Sequence, residues 1–495
     1  MPRKFKPTNV EIDSCPLLLQ APHKTRLIMT KMIVTKPAMG FLLWFLLGSS
    51  ILLLSLLSRP NPFILLQKKQ QQLIVTLGLD KTDNVNQVFE NSTDDGATST
   101  CDLFDGRWVR EYYGNASYSN YTCRTLPESK NCGKYGKEQD FVNWRWKPDG
   151  CDLPRFDGKT FLNIVRGKRM AFVGDSVARN QMESLLCLLS QVETPVSIQK
   201  DSEDRFRTWY FRSHDFILTV MWTKFLVAAT ERTADGAATG VYDLHLDRVD
   251  TGWTEKLPWI NYLVLSGGHW FSRKLYLHES DALVGCVYCS GENLTDFGPA
   301  PAVRRAFRTA LAHINGCADC GGLLTLVRTF APAHFENGAW DGGGKCNRTE
   351  PLGDREVGVG GTDWGMRNAQ VEELRSAQEE GKDKRFEVLD VTRAMMARAD
   401  AHPGEHWNNE WMKGYSDCVH WCLPGPIDVW NDMLLEILKE NDKQPAEVYR
   451  ARVRTLRVTT PTGPSTAFGS YPSPSQLKDD MLPVDQNCSL NLPTM

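Results

Sequence analysis

The sequence predicts an α/β protein in which helices cover a mostly parallel sheet. Its 495 residues, of which 41% are hydrophobic, are enough for one large domain with a core of its own plus appendages. Residues 169–181 begin as an apolar run, reach a glycine and continue with helical periodicity, which predicts a strand, a turn and a helix. Further apolar runs alternate with helical or loop stretches, as in a parallel sheet with helices on its faces. These runs are 216–222, 262–265, 322–327 and 386–391, and the helical stretches include 302–314 and 369–380.

The first 100 residues are predicted to anchor the chain in a membrane. Residues 1–37 hold seven lysines and arginines but only two acidic residues, and residues 38–57 contain no charged residue. About 20 apolar residues match a hydrocarbon core of about 30 Å, and a basic flank favours a cytoplasmic N-terminus. We therefore expect a cytoplasmic basic tail, a single-pass type II signal anchor and, over residues 58–100, a lumenal stem. A cleaved signal peptide is the alternative to an anchor.

The cysteines and glycosylation sequons predict a lumenal position for the rest of the chain. Of the 14 cysteines, only Cys15 precedes the apolar span, and disulfides persist in oxidising compartments. Sequons for asparagine glycosylation, which point the same way, occur at Asn91, Asn115, Asn120, Asn293, Asn347 and Asn487.

Two Cys-x-x-Cys pairs allow two interpretations. The pairs are separated by 27 residues, and their members are Cys286, Cys289, Cys317 and Cys320. Four thiolates at this spacing could bind zinc tetrahedrally, but on the lumenal side further disulfides are the favoured interpretation. Cys488 is then the odd cysteine, and it lies in a C-terminal tail, residues 446–495, whose Pro, Ser and Thr content predicts disorder.

Ser176 is the candidate nucleophile, because it lies at the predicted turn between strand and helix. Such a turn stands at the carboxyl edge of the sheet, where open α/β folds bind ligands. The following helix offers backbone N–H groups and a positive dipole end to a developing oxyanion. The alternative is that Asp175 and Ser176 merely cap a helix. Arg179, one turn into the helix, could orient Asp175 or bind an anionic intermediate, or could be an ordinary surface arginine.

A candidate partner for the serine lies near the other end of the chain. Asp417 and His420 are three residues apart, so both side chains face one side of a turn. A histidine can remove the proton of a serine hydroxyl, and a carboxylate can fix the tautomer of that histidine. The three residues therefore have the composition of a Ser-His-Asp triad.

These segments resemble the plant trichome birefringence-like family of polysaccharide O-acetyltransferases. The resemblance rests on the Gly-Asp-Ser segment ending at Ser176, on Asp417-x-x-His420 followed by Trp421, Pro424 and Gly425, and on the cysteine-bearing segment 101–106. It covers roughly residues 100–440. It implies an α/β/α sandwich like that of the Gly-Asp-Ser (SGNH-type) esterases, with a disulfide-rich appended lobe. The catalytic domain is then expected over residues 101–445, and the C-terminal tail departs from the family pattern.

The resemblance also implies four disulfides and an appended lobe built partly from residues 100–160. The implied pairs are Cys101–Cys151, Cys123–Cys187, Cys132–Cys422 and Cys346–Cys418. The lobe is rich in aromatic residues that either line a glycan groove or pack in the interior, namely Trp108, Tyr112, Tyr113, Tyr118, Tyr121, Tyr135, Trp144 and Trp146.

A second candidate group follows the predicted strand at 262–265. Gly268 would leave its backbone N–H open to an oxyanion, and His269 is placed where it could contact substrate or act as a structural residue. Many relatives of the family carry an asparagine near this position. Here the chain has Ser266 and His269, as the xyloglucan-acting branch does. The role of a side-chain oxyanion donor therefore cannot be assigned from the family to a residue of this sequence.

The resemblance implies a Golgi membrane O-acetyltransferase acting on a cell-wall hemicellulose, with xyloglucan as the leading acceptor. Ser176 would carry the acetyl group, His420 would move the proton and Asp417 would orient the histidine. This double displacement needs no metal and no bound cofactor, only an acetyl donor or a membrane protein that supplies one. An esterase with the same triad and a non-catalytic polysaccharide (pectin) binding protein are the alternatives. A net charge of −3, without a basic cluster beyond the N-terminal tail, predicts no nucleic-acid partner.

Overall fold

The structure is a computed structural model that describes residues 101–443 except 112–115, 354–355, 359, 382–383 and 409–413. The expected tail, anchor and stem (residues 1–100) and the C-terminal tail (446–495) lie outside the described residues. Among the helices of the described part, none is both long and apolar enough to cross a bilayer. Three of the expected sequons, Asn120, Asn293 and Asn347, are exposed. The other three fall outside the described residues.

Thirteen strands and seven α-helices are assigned within the described residues. The strands are β1 (Gly106–Arg110), β2 (Trp144–Pro148), β3 (Arg169–Gly174), β4 (Val196–Lys200), β5 (Phe206–Phe211), β6 (Phe216–Trp222), β7 (Val227–Ala234), β8 (Ala237–Val249), β9 (Tyr262–Leu265), β10 (Leu275–Glu279), β11 (Ala282–Val287), β12 (Leu324–Arg328) and β13 (Arg385–Leu389). The helices are α1 (Gly158–Ile164), α2 (Ser176–Ser190), α3 (Thr251–Thr254), α4 (Pro299–Gly316), α5 (Gly361–Glu380), α6 (Thr392–Met396) and α7 (Asp428–Lys443).

The central sheet has seven strands in the order β13-β12-β9-β3-β6-β5-β4. The five strands from β13 to β6 are parallel, and β5 and β4 continue the sheet antiparallel. The predicted mostly parallel sheet is therefore confirmed, and its apolar runs correspond to β6, β9, β12 and β13. Parallel strands that are covered on both faces read as continuous apolar sequence, which is why these runs were visible.

Helices cover both faces of this sheet, and strand β3 shows the division most clearly. Met170 and Phe172 lie in the core on one face, together with α1, α2 and α7. Ala171 and Val173 lie in the core on the opposite face, with α4 and α5. Successive side chains of a strand point to opposite faces, so a single strand contributes to both cores. The expected α/β/α sandwich is confirmed.

A second sheet was not foreseen from the sequence. It has four strands in the order β11-β10-β8-β7, and it is built around the antiparallel pair β7 and β8. Leu244, Leu275 and Val287 of this sheet join the same core as α4 and α5. Its strands β8 and β10 alternate between buried and half-buried residues, so they lack the continuous apolar runs that mark the central sheet.

The appended lobe contains β1, β2 and several disulfides. The structure contains all four implied pairs, Cys101–Cys151, Cys123–Cys187, Cys132–Cys422 and Cys346–Cys418. Each Cys-x-x-Cys pair is closed within itself, as Cys286–Cys289 and Cys317–Cys320. These thiols are therefore joined in pairs and do not form a four-thiolate zinc site.

The described aromatic residues of the lobe range from buried to exposed. Tyr118 and Trp146 are buried, and the Trp146 indole donates to the carbonyl of Leu103 at 2.9 Å. Trp144 and Trp146 line a cavity of about 70 Å³ beside Pro424. Tyr121 is 88% exposed, so it is free to contact a ligand. Tyr112 and Tyr113 lie outside the described residues.

Candidate active site

Strand β3 ends at Gly174, and helix α2 begins at Ser176. Gly174 has φ +151°, and a Cβ there would lie 2.1 Å from the carbonyl oxygen of Ser266, so only glycine allows this approach of the two chains. Asp175 caps the helix, because its Oδ1 accepts the N–H of Val177 at 3.0 Å. Ser176 is half-buried at the N-terminus of α2, while its neighbours are buried. The expected strand-turn-helix therefore presents Ser176 at the carboxyl edge of the sheet.

Asp417 and His420 form a direct pair. The Nδ1 atom of His420 lies 3.0 and 2.9 Å from the two carboxylate oxygens of Asp417. The same carboxylate accepts the backbone N–H groups of Val419 and His420 at 3.2 and 3.0 Å. Lys130 approaches its other oxygen at 3.5 Å. Backbone and side-chain donors thus hold the carboxylate in addition to its contact with the imidazole.

The charges around Asp417 keep its carboxyl ionised. Burial alone raises its pKa, but the neighbouring charges of His420 and Lys130 and the hydrogen bonds from His420 outweigh burial. The pKa of Asp417 consequently lies well below its ordinary value. An ionised carboxylate accepts a hydrogen bond from the Nδ1–H of His420. In the neutral imidazole this tautomer leaves Nε2 as the acceptor that a general base requires.

Asn180 connects the two halves of the site. Its Oδ1 accepts the backbone N–H of Trp421 at 2.7 Å, and its Nδ2 donates to the Trp421 carbonyl at 3.3 Å. Asn180 lies one helical turn after Ser176, and Trp421 directly follows His420. These two hydrogen bonds dock residues 416–422 against the helix that begins at the serine; we call this segment the catalytic loop because it carries the candidate base His420. Nothing local in the sequence indicates this role of Asn180.

The disulfides hold the catalytic loop from both sides. Cys418 is bonded to Cys346, and Cys422 is bonded to Cys132 of the appended lobe. His420 lies midway between these two cysteines. The loop is therefore fixed to three separate parts of the chain, namely α2, the lobe and the segment around Cys346.

Gly268 and His269 lie at the carboxyl edge of β9, the strand beside β3. A Cβ on Gly268, whose φ is +151°, would lie 2.4 Å from the ring of Phe330, so the position requires glycine. The ring of His269 packs on Phe330 with 4.6 Å between centroids. Its Nε2 is shielded from solvent, and burial lowers its pKa to about 4, with Asp175 opposing and Arg328 and His420 reinforcing the shift. His269 is therefore neutral near neutral pH.

Arg179 is engaged in ion pairs away from the serine. Its Nε donates to Glu183 at 3.0 Å, and its Nη2 donates to Asp204 at 2.7 Å. These contacts do not include Asp175, so they do not support the alternative in which Arg179 orients that residue. The carboxylates of Glu183 and Asp204 satisfy its guanidinium instead.

The structure adds a charged residue that the sequence reasoning missed. Arg328, the last residue of β12, is 1% exposed, and its guanidinium packs over the Trp430 ring at 5.0 Å. Burial lowers the pKa of Arg328 to about 10, and the charge of Asp175 opposes that shift. A cation is therefore buried behind the serine turn. The available signal was an arginine directly after a buried strand, at the edge where ligands bind.

Two tryptophans end or follow the strands that neighbour β3 in the sheet. Trp222 ends β6 and pairs in register with Gly174, and Trp270 directly follows His269. Their rings meet edge to face at 5.7 Å, and both residues are half-buried. The guanidinium of Arg273 and the ammonium of Lys224 lie 3.9 and 4.7 Å from the Trp270 ring. Sequence reasoning sought aromatic ligand contacts in the lobe and missed these.

The fold and site define an acyl-transfer class of protein: an α/β/α sandwich with a serine at the first strand-helix turn and an Asp-x-x-His loop. Residues 153–437 match the model of the PC-Esterase family, described as a GDSL/SGNH-like acyl-esterase family found in Pmr5 and Cas1p. Residues 99–152 match the PMR5 N-terminal domain. The chain therefore belongs to the PC-Esterase family.

Three relatives from two plants illustrate the similarity. A xyloglucan O-acetyltransferase 4 from Populus trichocarpa is 56% identical over 344 residues, covering 69% of this chain and 82% of the relative. The xyloglucan O-acetyltransferase 2 of Arabidopsis thaliana is 51% identical over 344 residues, covering 69% and 83%. The protein trichome birefringence-like 20 of Arabidopsis thaliana is 42% identical over 352 residues, covering 69% and 72%. The resemblance inferred from the motifs is confirmed.

Proposed function

We propose that this chain transfers acetyl groups to hydroxyls of xyloglucan through an acetyl-serine at Ser176. The observation that carries the proposal is the Asp417–His420 pair, docked through Asn180 onto the helix that begins at the serine. The names of the relatives at 51% and 56% identity support the acetyl group and the acceptor.

In the first half-reaction, Ser176 Oγ attacks the acetyl carbonyl of the donor while His420 Nε2 takes the hydroxyl proton. Asp417 stabilises the resulting imidazolium through Nδ1–H. The oxyanion forms beside the N-terminus of α2, where the backbone N–H of Gly268 is a second candidate donor. The tetrahedral intermediate collapses, the donor's leaving group departs with the proton from His420, and acetyl-serine remains.

In the second half-reaction, a sugar hydroxyl attacks the acetyl-serine. His420 takes the hydroxyl proton and returns it to Ser176 Oγ as the ester bond to the enzyme breaks. The product is the O-acetylated sugar. Trp222 ends β6 and Trp270 follows β9, and both strands pair with β3. A sugar ring that stacks on either half-buried indole would therefore lie beside the serine turn.

Acetyl transfer is tested with the purified full-length chain. The protein is incubated with para-nitrophenyl acetate and a panel of xyloglucan, xylan and pectin oligosaccharides, and the masses of the products are measured. We expect acetylated xyloglucan fragments, together with an acetylated peptide containing Ser176 when acceptor is omitted. Free acetate as the sole product would favour the esterase. Oligosaccharide binding without either product, unchanged by Ser176→Ala, would favour the non-catalytic binding protein.

We also propose that the chain is a single-pass type II protein of the Golgi membrane. The apolar run at 38–57 and its basic flank support this topology. A C-terminal tag should resist protease in sealed vesicles and become sensitive once detergent is added. Digestion of the tag in intact vesicles would contradict the proposed topology.

A further inference from the structure

Two histidines outside the proposed triad connect to the catalytic loop through a chain of short contacts. His402 Nδ1 lies 2.7 Å from the carbonyl oxygen of His420. His402 Nε2 lies 2.8 Å from Nδ1 of His334, and His334 Nε2 lies 3.0 Å from the carbonyl oxygen of Met396. His402 is completely buried. All four ring nitrogens of the two histidines are therefore occupied by a partner at hydrogen-bond distance.

The number of N–H protons on the two histidine rings follows from the groups that they contact. A carbonyl oxygen only accepts, so the carbonyls of His420 and Met396 each require an N–H from the histidine that faces them. The contact between the two rings requires one further N–H. Three protons on two imidazoles amount to one more than two neutral rings carry. With only two protons, one of the three contacts would bring two lone pairs together.

We propose that His334 and His402 share this extra proton as an imidazole–imidazolium pair, and that they act as positioning residues for the acetyl transfer by holding the carbonyl of His420. The proposal rests on the catalytic role of His420 in the proposed function. In this proposal neither histidine takes part in the chemical steps at Ser176. The pair acts through the backbone of the catalytic base.

The packing around His402 suits a positive charge. The ring stacks on the indole of Trp421 with 4.1 Å between centroids and 31° between planes, and His334 meets the edge of the same indole at 6.1 Å. A cation above an indole face is stabilised by the ring quadrupole. Trp421 is itself held by Asn180. The pair therefore supports the same segment that docks on helix α2.

The surrounding groups make this proton weakly held. Burial lowers the pKa of both histidines. Around His334, the Met396 carbonyl, Asp400 and Glu336 oppose the shift, and Arg348 adds to it. Around His402, His334 and Lys137 add to the shift, while the His420 carbonyl and Asp417 oppose it. The shared proton consequently leaves as the pH rises, and one of the three hydrogen bonds made by the two histidines is then lost.

Proton counting by NMR tests the shared proton independently of activity. The full-length chain is prepared with isotope-labelled histidine, and the signals of the two residues among the ten histidines are assigned from His334→Asn and His402→Asn spectra. We expect three ring N–H protons on the pair at low pH and two after a single transition at higher pH. Two protons at every pH at which the protein is folded would overturn the pair.

Kinetics test the positioning role. His334→Leu removes the ring nitrogen that faces His402 Nε2, and we expect kcat to fall about 10- to 100-fold with KM unchanged, the size of one lost hydrogen bond to a charged group. His334→Asn can donate an uncharged N–H at the Nδ1 position, so we expect it to restore kcat and to remove the loss of kcat at higher pH. The matched control is His278→Gln, because His278 is bonded to Asp243 in the second sheet. It should leave kcat and its pH dependence unchanged.

The outcomes separate this inference from the proposed function. An inactive parent protein would refute the proposed function, while the NMR count would still decide whether the proton is shared. An active parent whose His334→Leu and His334→Asn variants keep both kcat and its pH dependence would refute the positioning role. If His334→Leu does not fold, the asparagine variant and the proton count remain decisive.

Discussion

Replacing Asn180 tests how the site is assembled from two distant parts of the chain. Asn180→Ala removes both hydrogen bonds to the backbone of Trp421, which is completely buried. A buried backbone group left without a partner costs about 1–3 kcal/mol, so we expect the free energy of unfolding to fall by about 2–4 kcal/mol. The loop that carries His420 also loses its attachment beside Ser176. A misplacement of about 1 Å costs up to about 100-fold in rate, and we expect kcat to fall about 10- to 100-fold.

The matched control is Asn431→Ala. Asn431 is equally buried and donates to Ser184 Oγ at 2.9 Å and to the Gln181 carbonyl at 3.4 Å, so it joins α7 to α2 without contacting the catalytic loop. Denaturant titration should show a comparable loss of stability, whereas kcat for acetyl transfer should stay within about twofold of the parent value. Equal losses of kcat in the two variants would show that Asn180 acts through general stability alone, and the docking argument would fail.

Further predictions concern the Asp417–His420 pair, the half-buried carboxyl of Asp432 and a disulfide. Asp417→Asn should keep the fold but lower kcat about 10⁴-fold, because the amide favours the wrong tautomer of His420, and pre-steady-state kinetics should show the loss in acetyl-enzyme formation. Burial raises the pKa of Asp432 to about 7, so its neutral form is favoured in the folded state and the parent protein loses stability as pH rises from about 4 to 7. Asp432→Asn should remove this loss. The free energy of unfolding of the variant should exceed that of the parent by about 1–2 kcal/mol above pH 7, a figure reduced to allow for the partial exposure of the residue, and should equal it near pH 4. Parallel pH dependences of unfolding in the two proteins would contradict the assignment. Cys132→Ser should lower kcat more than Cys101→Ser at equal loss of thermal stability, because only the first breaks a disulfide beside His420; equal activities at matched stability would exclude that supporting role.

The sequence alone determined the central sheet and the serine turn. Strands β3, β6, β9 and β12 are covered on both faces or nearly so, and this burial requires apolar residues in unbroken runs. The turn at Ser176 was recognisable because a glycine, a capping aspartate and an amphipathic helix follow one another locally. The Asp417–His420 pair was visible for the same reason, since its spacing of three residues is a property of a single turn.

Only the tertiary structure decided how these local pieces form one site. Asn180 and Trp421 are 241 residues apart, and nothing near either residue indicates its partner. The second sheet, the ion pair of Arg179 with Asp204 and the buried Arg328 depend likewise on contacts between separate segments. The chain His334–His402–His420 joins residues whose spacings of 68 and 18 follow no helical or strand period. Local patterns report the burial and turns of one segment, whereas contacts between segments depend on how the whole sheet and its helices pack.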